Sequence, residues 1–343
     1  MNLFTDLVSE DKQHANYKMI KNENDKVKVI SDWANGFVDR DNKFVKEFQT
    51  TFNSSFWELY LNAVFRKLNL KIDFNYSAPD FLIKSSITNQ EFIVEATTTN
   101  APSGGVPEHD GKLKSEQWLR VAKNEEDLNN VTDLAEERIA NSIRGKLEKY
   151  KKSYQHLDHV KDKPFVIALG GYEQPLFFQS GTGPINKVLY GITGHEIDIE
   201  TGEPELLYGN TIIKKSNQSE IPIGIFTNDS YKEVSAIIYS NLATAGKVNA
   251  LSEGKNKYTF SVKKFNANSD LPTFSIINGE DYKEDLLNGL HVFLNPYAEI
   301  EFNLEDFVNE NILLSITPEL TLVDSGFLYS RNCMNVEMLS QKS

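Results

Sequence analysis

Cysteine is nearly absent from this chain: Cys333 is the single one in 343 residues. One thiol cannot build an intrachain disulfide framework, and it leaves no cysteine cluster for a structural zinc. Histidine is scarce as well. His156 and His159 stand three apart and could share a metal, but no third nitrogen or thiol accompanies them, and surface positions are the simpler assignment. The opening residues, MNLFTDLVSEDKQ, lack a basic segment followed by an apolar one, and no apolar run reaches the length that crosses a bilayer. The expectation is a protein of a bacterial-type cytoplasm with no membrane partner. Positive charge is in deficit, with 36 Lys and Arg against 49 Asp and Glu and a net charge of −13. That balance argues against a general basic surface for holding nucleic acid, which works by neutralising phosphates, and leaves room only for a local patch. A phosphate-binding loop is missing too. Five residues rather than four separate Gly105 from Gly111, and Leu113 follows Lys112 where a hydroxyl is needed. There is no internal repeat, no low-complexity linker, no recognisable base-reading helix and no aromatic RNA platform motif.

What is present begins with a core-forming composition, 40% hydrophobic, enough for one large or two ordinary domains. The stretch that organises the chain is Phe52 to Asn100. Phe56, Leu59, Tyr60, Ala63, Val64 and Leu68 recur at helical spacing, so Phe52 to Asn69 is predicted as an amphipathic helix, and Glu58 is the only acid on it. Three short β-rich runs follow, Ile72 to Tyr76, Asp80 to Lys84 and Glu91 to Thr98, separated by turn-forming residues. The pattern reads as a helix and an antiparallel meander. A hairpin brings Asp80, at the mouth of the second strand, toward Glu95, inside the third. The run FIVEAT has the nearly continuous apolar character of a strand covered on both faces, where an ionised Glu95 is costly unless paired or bound to a cation. Asp80, Glu95 and Glu58 are the hard oxygen ligands that Mg²⁺ prefers. The alternative is that Asp80 ends a turn and Glu95 pairs with a lysine.

These residues resemble the PD-(D/E)XK nuclease superfamily, with its restriction-endonuclease-like fold. The likeness rests on the helix acid Glu58, then Pro79 and Asp80, then Glu95-Ala96-Thr97 on the next strand. It implies an α/β protein built on a restriction-endonuclease-like mixed β-sheet flanked by helices, with a long α/β C-terminal extension. It also implies Asp80 and Glu95 as ligands of Mg²⁺, with Mn²⁺ as a substitute, and the Ala96 carbonyl as a further ligand. The lysine that handles the attacking water in that superfamily is replaced here by Thr97. Some members carry the lysine on a neighbouring helix, and Ala135 to Tyr154 offers one. Its stripe of Ile139, Ile143, Leu147, Tyr150 and Tyr154 is helical, Lys146 points within that stripe, and Lys149 lies on its edge. Lys146 either snorkels to solvent or reaches the carboxylates. The implied activity is metal-dependent endonucleolytic hydrolysis of phosphodiesters, DNA being the favoured substrate and RNA left open, in a restriction or phage-defence setting. Catalytic roles fall on Glu58, Asp80, Glu95 and Lys146. The competing reading is a nuclease-like fold that has lost its chemistry and binds nucleic acid or protein.

Around that centre the chain divides into an N-terminal accessory segment, 1–45, a nuclease-like core, 46–175, and a C-terminal α+β extension, 176–343, packed on the core or continuous with it. The first segment carries one short helix, Val27 to Phe37, and is a candidate homodimer element. Pro102 to Asp133, with Glu108, His109 and Asp110, is polar and leaves the end of the third strand, so it is either a flap over the site or a loop without function. Basic residues concentrate from Arg138 to Lys163, as a guide for a phosphate backbone or as an ordinary solvated helix face. Phe165 to Leu169, FVIAL, reads as a central strand. Farther on, Pro184 to Tyr190 and Leu304 to Asn309 read as helices, and His195 to Tyr208 as a hairpin. Ile223 to Thr227, Tyr258 to Lys263 and His291 to Leu294 read as strands. Val234 to Tyr239 reads as a strand, or Tyr231 to Leu242 as a helix. This half loosely resembles the C-terminal portions of uncharacterised bacterial proteins, through SAIIYS, Gly246-Lys247-Asn249 and HVFLNPYA. Asn295, Pro296 and Tyr297 there form either a substrate wall or a turn.

Overall fold

The structure, a computed structural model, describes residues 1–99, 125–172, 180–198, 200–202, 204–213, 218–269 and 271–335. The expected flap therefore falls largely outside the described residues, His109 with it. Its last part, from Glu125, belongs to a helix.

Four helices open the chain: α1 (Ala15–Lys21), α2 (Asn24–Trp33), α3 (Phe44–Thr50) and α4 (Phe52–Lys67). The N-terminal segment is thus more helical than the single helix expected there. Next come β1 (Lys71–Asp73), β2 (Phe81–Lys84) and β3 (Glu91–Thr98). A long helix, α5 (Glu125–Lys149), continues into a π-helical turn over Tyr150–Tyr154 and leads to β4 (Phe165–Gly170). The remaining elements are α6 (Gly183–Tyr190), the hairpin of β5 (Ile192–Ile197) and β6 (Pro204–Tyr208), the pair of β7 (Thr211–Ile213) and β8 (Glu220–Pro222), β9 (Val234–Ser240), α7 (Ala245–Leu251), β10 (Tyr258–Lys264), β11 (Thr273–Asn278), β12 (Leu290–Leu294), β13 (Ile312–Ser315), β14 (Thr321–Leu322) and β15 (Leu328–Asn335).

Among the described residues the main sheet has eight strands in the order β1-β2-β3-β4-β9-β12-β13-β14. β1, β2 and β3 form the antiparallel meander, and β4 joins β3 in parallel, Glu95 opposite Ile167. β4 and β9 are parallel, β9 and β12 antiparallel, and β12 and β13 parallel. This is a mixed α/β architecture with one large mixed sheet flanked by helices. Four of its strands come from beyond position 176, so the sheet runs unbroken through the chain. A separate antiparallel sheet, β11-β10-β15, packs with α7.

The period of two in the strands decides which helix covers which face. Phe81, Ile83, Phe92, Val94, Ala96, Val166 and Ala168 pack with α2, α3 and α4. Leu82, Ile93, Phe165, Ile167 and Leu169 face the other way, against Ile139, Ile143 and Leu147 of α5 and against α6. β4 is buried at every position, as a strand between two helical layers must be. Trp57 of α4 is fully buried, and its Nε1 donates to the Ala168 carbonyl at 3.0 Å. Trp57→Phe puts a smaller phenyl ring in place of the indole and removes this donor, and a loss of about 1–3 kcal/mol is expected from the unpaired carbonyl and the void together. Urea unfolding monitored by circular dichroism measures it, and a variant as stable as the wild type would show the bond to be dispensable.

Several expectations are corrected. The first strand is only Lys71–Asp73, because Asn75 to Pro79 form a turn before Asp80. Ile223 to Thr227 is not a strand: it is a turn whose Ile223, Ile225 and Phe226 are buried, so its apolar content reflects core plugging. Leu304 to Asn309 contains one 3₁₀ turn, Glu305–Phe307, that buries Phe307. At 231–242 the strand reading holds, since β9 is buried along its whole length in the middle of the sheet. Asn295 serves a turn, its Nδ2 donating to the Tyr231 and Val234 carbonyls. Among the described residues, no helix is long and apolar enough to cross a membrane.

Candidate functional site

β3 brings Glu95 onto the α5 face of the sheet, where the odd-numbered neighbour Ile93 also points. The carboxylate is fully buried. Its Oε1 accepts from Lys146 Nζ at 2.9 Å and Lys149 Nζ at 2.6 Å, both on the last two turns of α5. Its Oε2 has no hydrogen-bond partner among the described residues. An ionised oxygen left in that state is unfavourable, so the site is built with one side of Glu95 neutralised and the other unsatisfied.

Asp80 stands just before β2 and caps the meander by accepting the Ala96 N–H at Oδ2, 2.7 Å away. In an extended strand the N–H and carbonyl of one residue point to the same edge, so the Ala96 carbonyl lies on the Asp80 side. Burial first and the Glu95 charge second raise the Asp80 carboxyl to about 6, against the pull of Lys146, the Ala96 N–H and Lys149. Glu58, half-buried on α4, is pushed well above the usual carboxylate range by burial and then by Asp80, with Arg40 and Lys146 pulling the other way. The structure therefore bonds Lys146 to Glu95 and Asp80 to the N–H of the next residue on β3, and the Asp80 and Lys146 charges act on Glu58. Thr97, on the same face of β3 as Glu95, carries no charge to the site.

Lys146 and Lys149 differ in setting. The Lys146 side chain is 20% exposed and Lys149 48%. Burial works to lower the Lys149 ammonium, yet its bonds to Glu95 and the adjacent Tyr154 raise it overall, and it lies 5.0 Å over the Tyr154 ring. Tyr154 belongs to the π-helical turn, which shifts the register of the helix at its end.

The basic run from Arg138 to Lys163 is largely spent on partners. Lys151 pairs with Glu233 at 2.8 Å, Lys163 with Glu91 at 3.6 Å, and Arg144 bonds Asn141. His159 is not a free surface residue: its Nε2 lies 2.7 Å from the Ala78 carbonyl and its ring stacks on Tyr76. His156 is exposed. Gly246, Lys247 and Asn249 lie on α7, away from the carboxylates. Lys247 pairs with Glu284 at 2.5 Å, Glu284 also binds Arg331, and burial lowers Lys247 to about 8. That network ties α7 to β15.

Residues near the site that periodicity could not find include Arg40, whose Nη1 donates to the Tyr76 and Pro79 carbonyls at 2.5 and 3.0 Å. It comes from the segment read as accessory and meets the turn that presents Asp80. No sequence signal marks that meeting, since it joins positions about forty apart.

Among the described residues, no group of three His, Cys, Asp or Glu side chains is gathered closely enough to hold a metal ion by itself. Comparison with family models, with curated proteins and with solved structures finds no match to this chain.

A pH dependence follows from Asp80. Its raised carboxyl binds a proton more tightly folded than unfolded, so between about pH 4 and 6 its contribution to stability falls as pH rises. Asp80→Asn cannot ionise and escapes that loss. Its stability relative to wild type is expected to improve from pH 4 to 7, as followed by denaturant unfolding at several pH values. A difference independent of pH would remove Asp80 as the titrating group.

Proposed function

We propose that the protein is a Mg²⁺-dependent phosphodiesterase, an endonuclease with a restriction-endonuclease-like core, acting on DNA in preference to RNA. The observation that carries this reading is Asp80, bonded to the N–H of Ala96 next to Glu95, together with a buried Glu95 whose Oε1 bonds Lys146 and whose Oε2 is unsatisfied. The order of α4, the β1–β3 meander, α5 and parallel β4 is the one the resemblance implies, and it supports the fold assignment.

The donor set fits a hard divalent cation. Mg²⁺ is commonly held by one or two carboxylates and keeps several waters, so Asp80 and Glu95, with the Ala96 carbonyl, suffice without a closed triad of side chains. Bound there, Mg²⁺ or Mn²⁺ would supply Lewis-acid polarisation of a phosphate oxygen and acidification of water. The chain's own residues do the rest. Lys146 offsets negative charge as it develops on the phosphate in the transition state. Glu58 orients water or takes part in a second cation site. The Ala96 N–H holds Asp80 in the direction of Glu95.

A second reading, a nuclease-like fold that binds without cleaving, is favoured by one observation: two ammonium groups already occupy Glu95 Oε1, while Thr97 stands in the usual lysine position. The deciding experiment incubates the intact protein with plasmid and single-stranded DNA and with RNA, in Mg²⁺, in Mn²⁺ and in EDTA. Cleavage that requires the divalent ion is the expected result. Binding without cleavage in every buffer would favour the second reading.

A further inference from the structure

The turn that presents Asp80 carries a partly exposed aromatic ring. Tyr76 stacks face to face on His159, with ring centroids 3.8 Å apart and planes at 9°, and it remains 39% exposed. Both partners are anchored. His159 Nε2 donates to the Ala78 carbonyl at 2.7 Å, and Arg40 Nη1 donates to the carbonyls of Tyr76 and Pro79, so one guanidinium links the ring's own backbone to the residue before Asp80. The Arg40 and His159 bonds hold the turn through backbone carbonyls, and neither uses the Tyr76 ring.

The geometry points to the Tyr76–His159 pair, on the turn that leads to Asp80, as a stacking platform for an unpaired nucleobase of the substrate. This inference rests on the nuclease reading above and adds a substrate class to it: nucleic acid with at least one unstacked base near the cleaved phosphate, as in a single strand, a bubble or a frayed end. Bases stack on aromatic faces with little regard to sequence, and a ring already ordered by a neighbour loses little freedom when a base lands on it. Inside an intact duplex both faces of each base are covered by neighbouring bases, so the platform gains nothing there. Arg40 and Lys146 act on Glu58, and Lys146 and Lys149 bond Glu95, in a chain whose net charge of −13 otherwise repels a polyanion. Stacking therefore adds an attraction that does not depend on charge.

The test measures fluorescence anisotropy of labelled 15-mers of single-stranded DNA and RNA and of a blunt DNA duplex, in EDTA and again in Mg²⁺. Wild type is compared with Tyr76→Phe, Tyr76→Leu and Tyr76→Ala, each checked by thermal unfolding. Tyr76→Ala and Tyr76→Leu are expected to weaken single-strand binding about ten-fold, about 1.4 kcal/mol, and to change duplex binding less than two-fold. Tyr76→Phe should retain both. A loss on DNA, on RNA or on both supports the platform and identifies the sugar it accepts. Equal losses on single strand and duplex, or no loss in Tyr76→Leu, overturn the platform while leaving the nuclease reading intact. Neither binding nor cleavage by wild type in either buffer overturns both.

Discussion

Asp80→Asn and Glu95→Gln are each expected to lower Mg²⁺-dependent cleavage by about 10²–10³-fold, because a cation held by two carboxylates supplies several kcal/mol of charge stabilisation and each 1.4 kcal/mol is a factor of ten. The amide variants keep shape and volume, which matters most at Glu95. Alanine there would open a cavity in a fully buried strand and leave Lys146 and Lys149 without their shared acceptor. With glutamine, Oε1 still accepts from the lysines while the charge is gone. Plasmid nicking rates under excess enzyme measure the effect, with melting temperatures as the control for folding. Nicking that survives in both variants would mean that the acids do not hold the reactive centre, and the hydrolytic proposal would fail with them.

Lys146→Ala is expected to reduce turnover by about 10²-fold or more with less than about a three-fold change in substrate binding, the pattern of a group that acts on transition-state charge. Lys149→Ala should cost less than ten-fold. The difference has a structural basis. Lys146 is the more enclosed of the two, and its charge acts on Glu58 as well as bonding Glu95. Lys149 is half-exposed, its charge leans on the Tyr154 ring, and water replaces it readily. Single-turnover rates beside equilibrium binding separate the two effects. If Lys149→Ala gives the large loss and Lys146→Ala the small one, the roles exchange. If neither reduces the rate, the lysines are structural partners of Glu95.

The two lysines also show why Glu95 tolerates full burial. A lone carboxylate there would be expensive, and one oxygen bonded twice by ammonium groups removes most of that cost. The same pairing is a static obstacle only if both lysines must stay. Oε2, buried and without a hydrogen-bond partner among the described residues, is the oxygen that neither lysine bonds.

Much of the centre was legible in the sequence because it is local. The stripe on α4, the alternation and turns of the meander, the apolar run FVIAL and the stripe of Ile139, Ile143, Leu147, Tyr150 and Tyr154 are periodic features, and periodicity survives without coordinates. Glu95 stood out as a charge in an apolar strand, and Lys146 as a charge in an apolar stripe. Their meeting at 2.9 Å follows from each needing the other. Misreadings fell on short apolar stretches. Ile223 to Thr227 and Leu304 to Asn309 are too short for a period to tell a strand or helix from a turn that plugs the core.

The sequence by itself determined the helix, meander, helix and strand order and the places of Glu58 and Glu95 on those elements, since these depend on neighbours a few positions apart. Only the tertiary structure decided that Arg40 and His159 clamp the Asp80 turn from opposite ends of the chain's first half, that two lysines rather than one meet Glu95, and that β9, β12, β13 and β14 extend the same sheet. Contacts across tens of residues are chosen by packing and burial in three dimensions, and such choices leave no repeating trace along the chain.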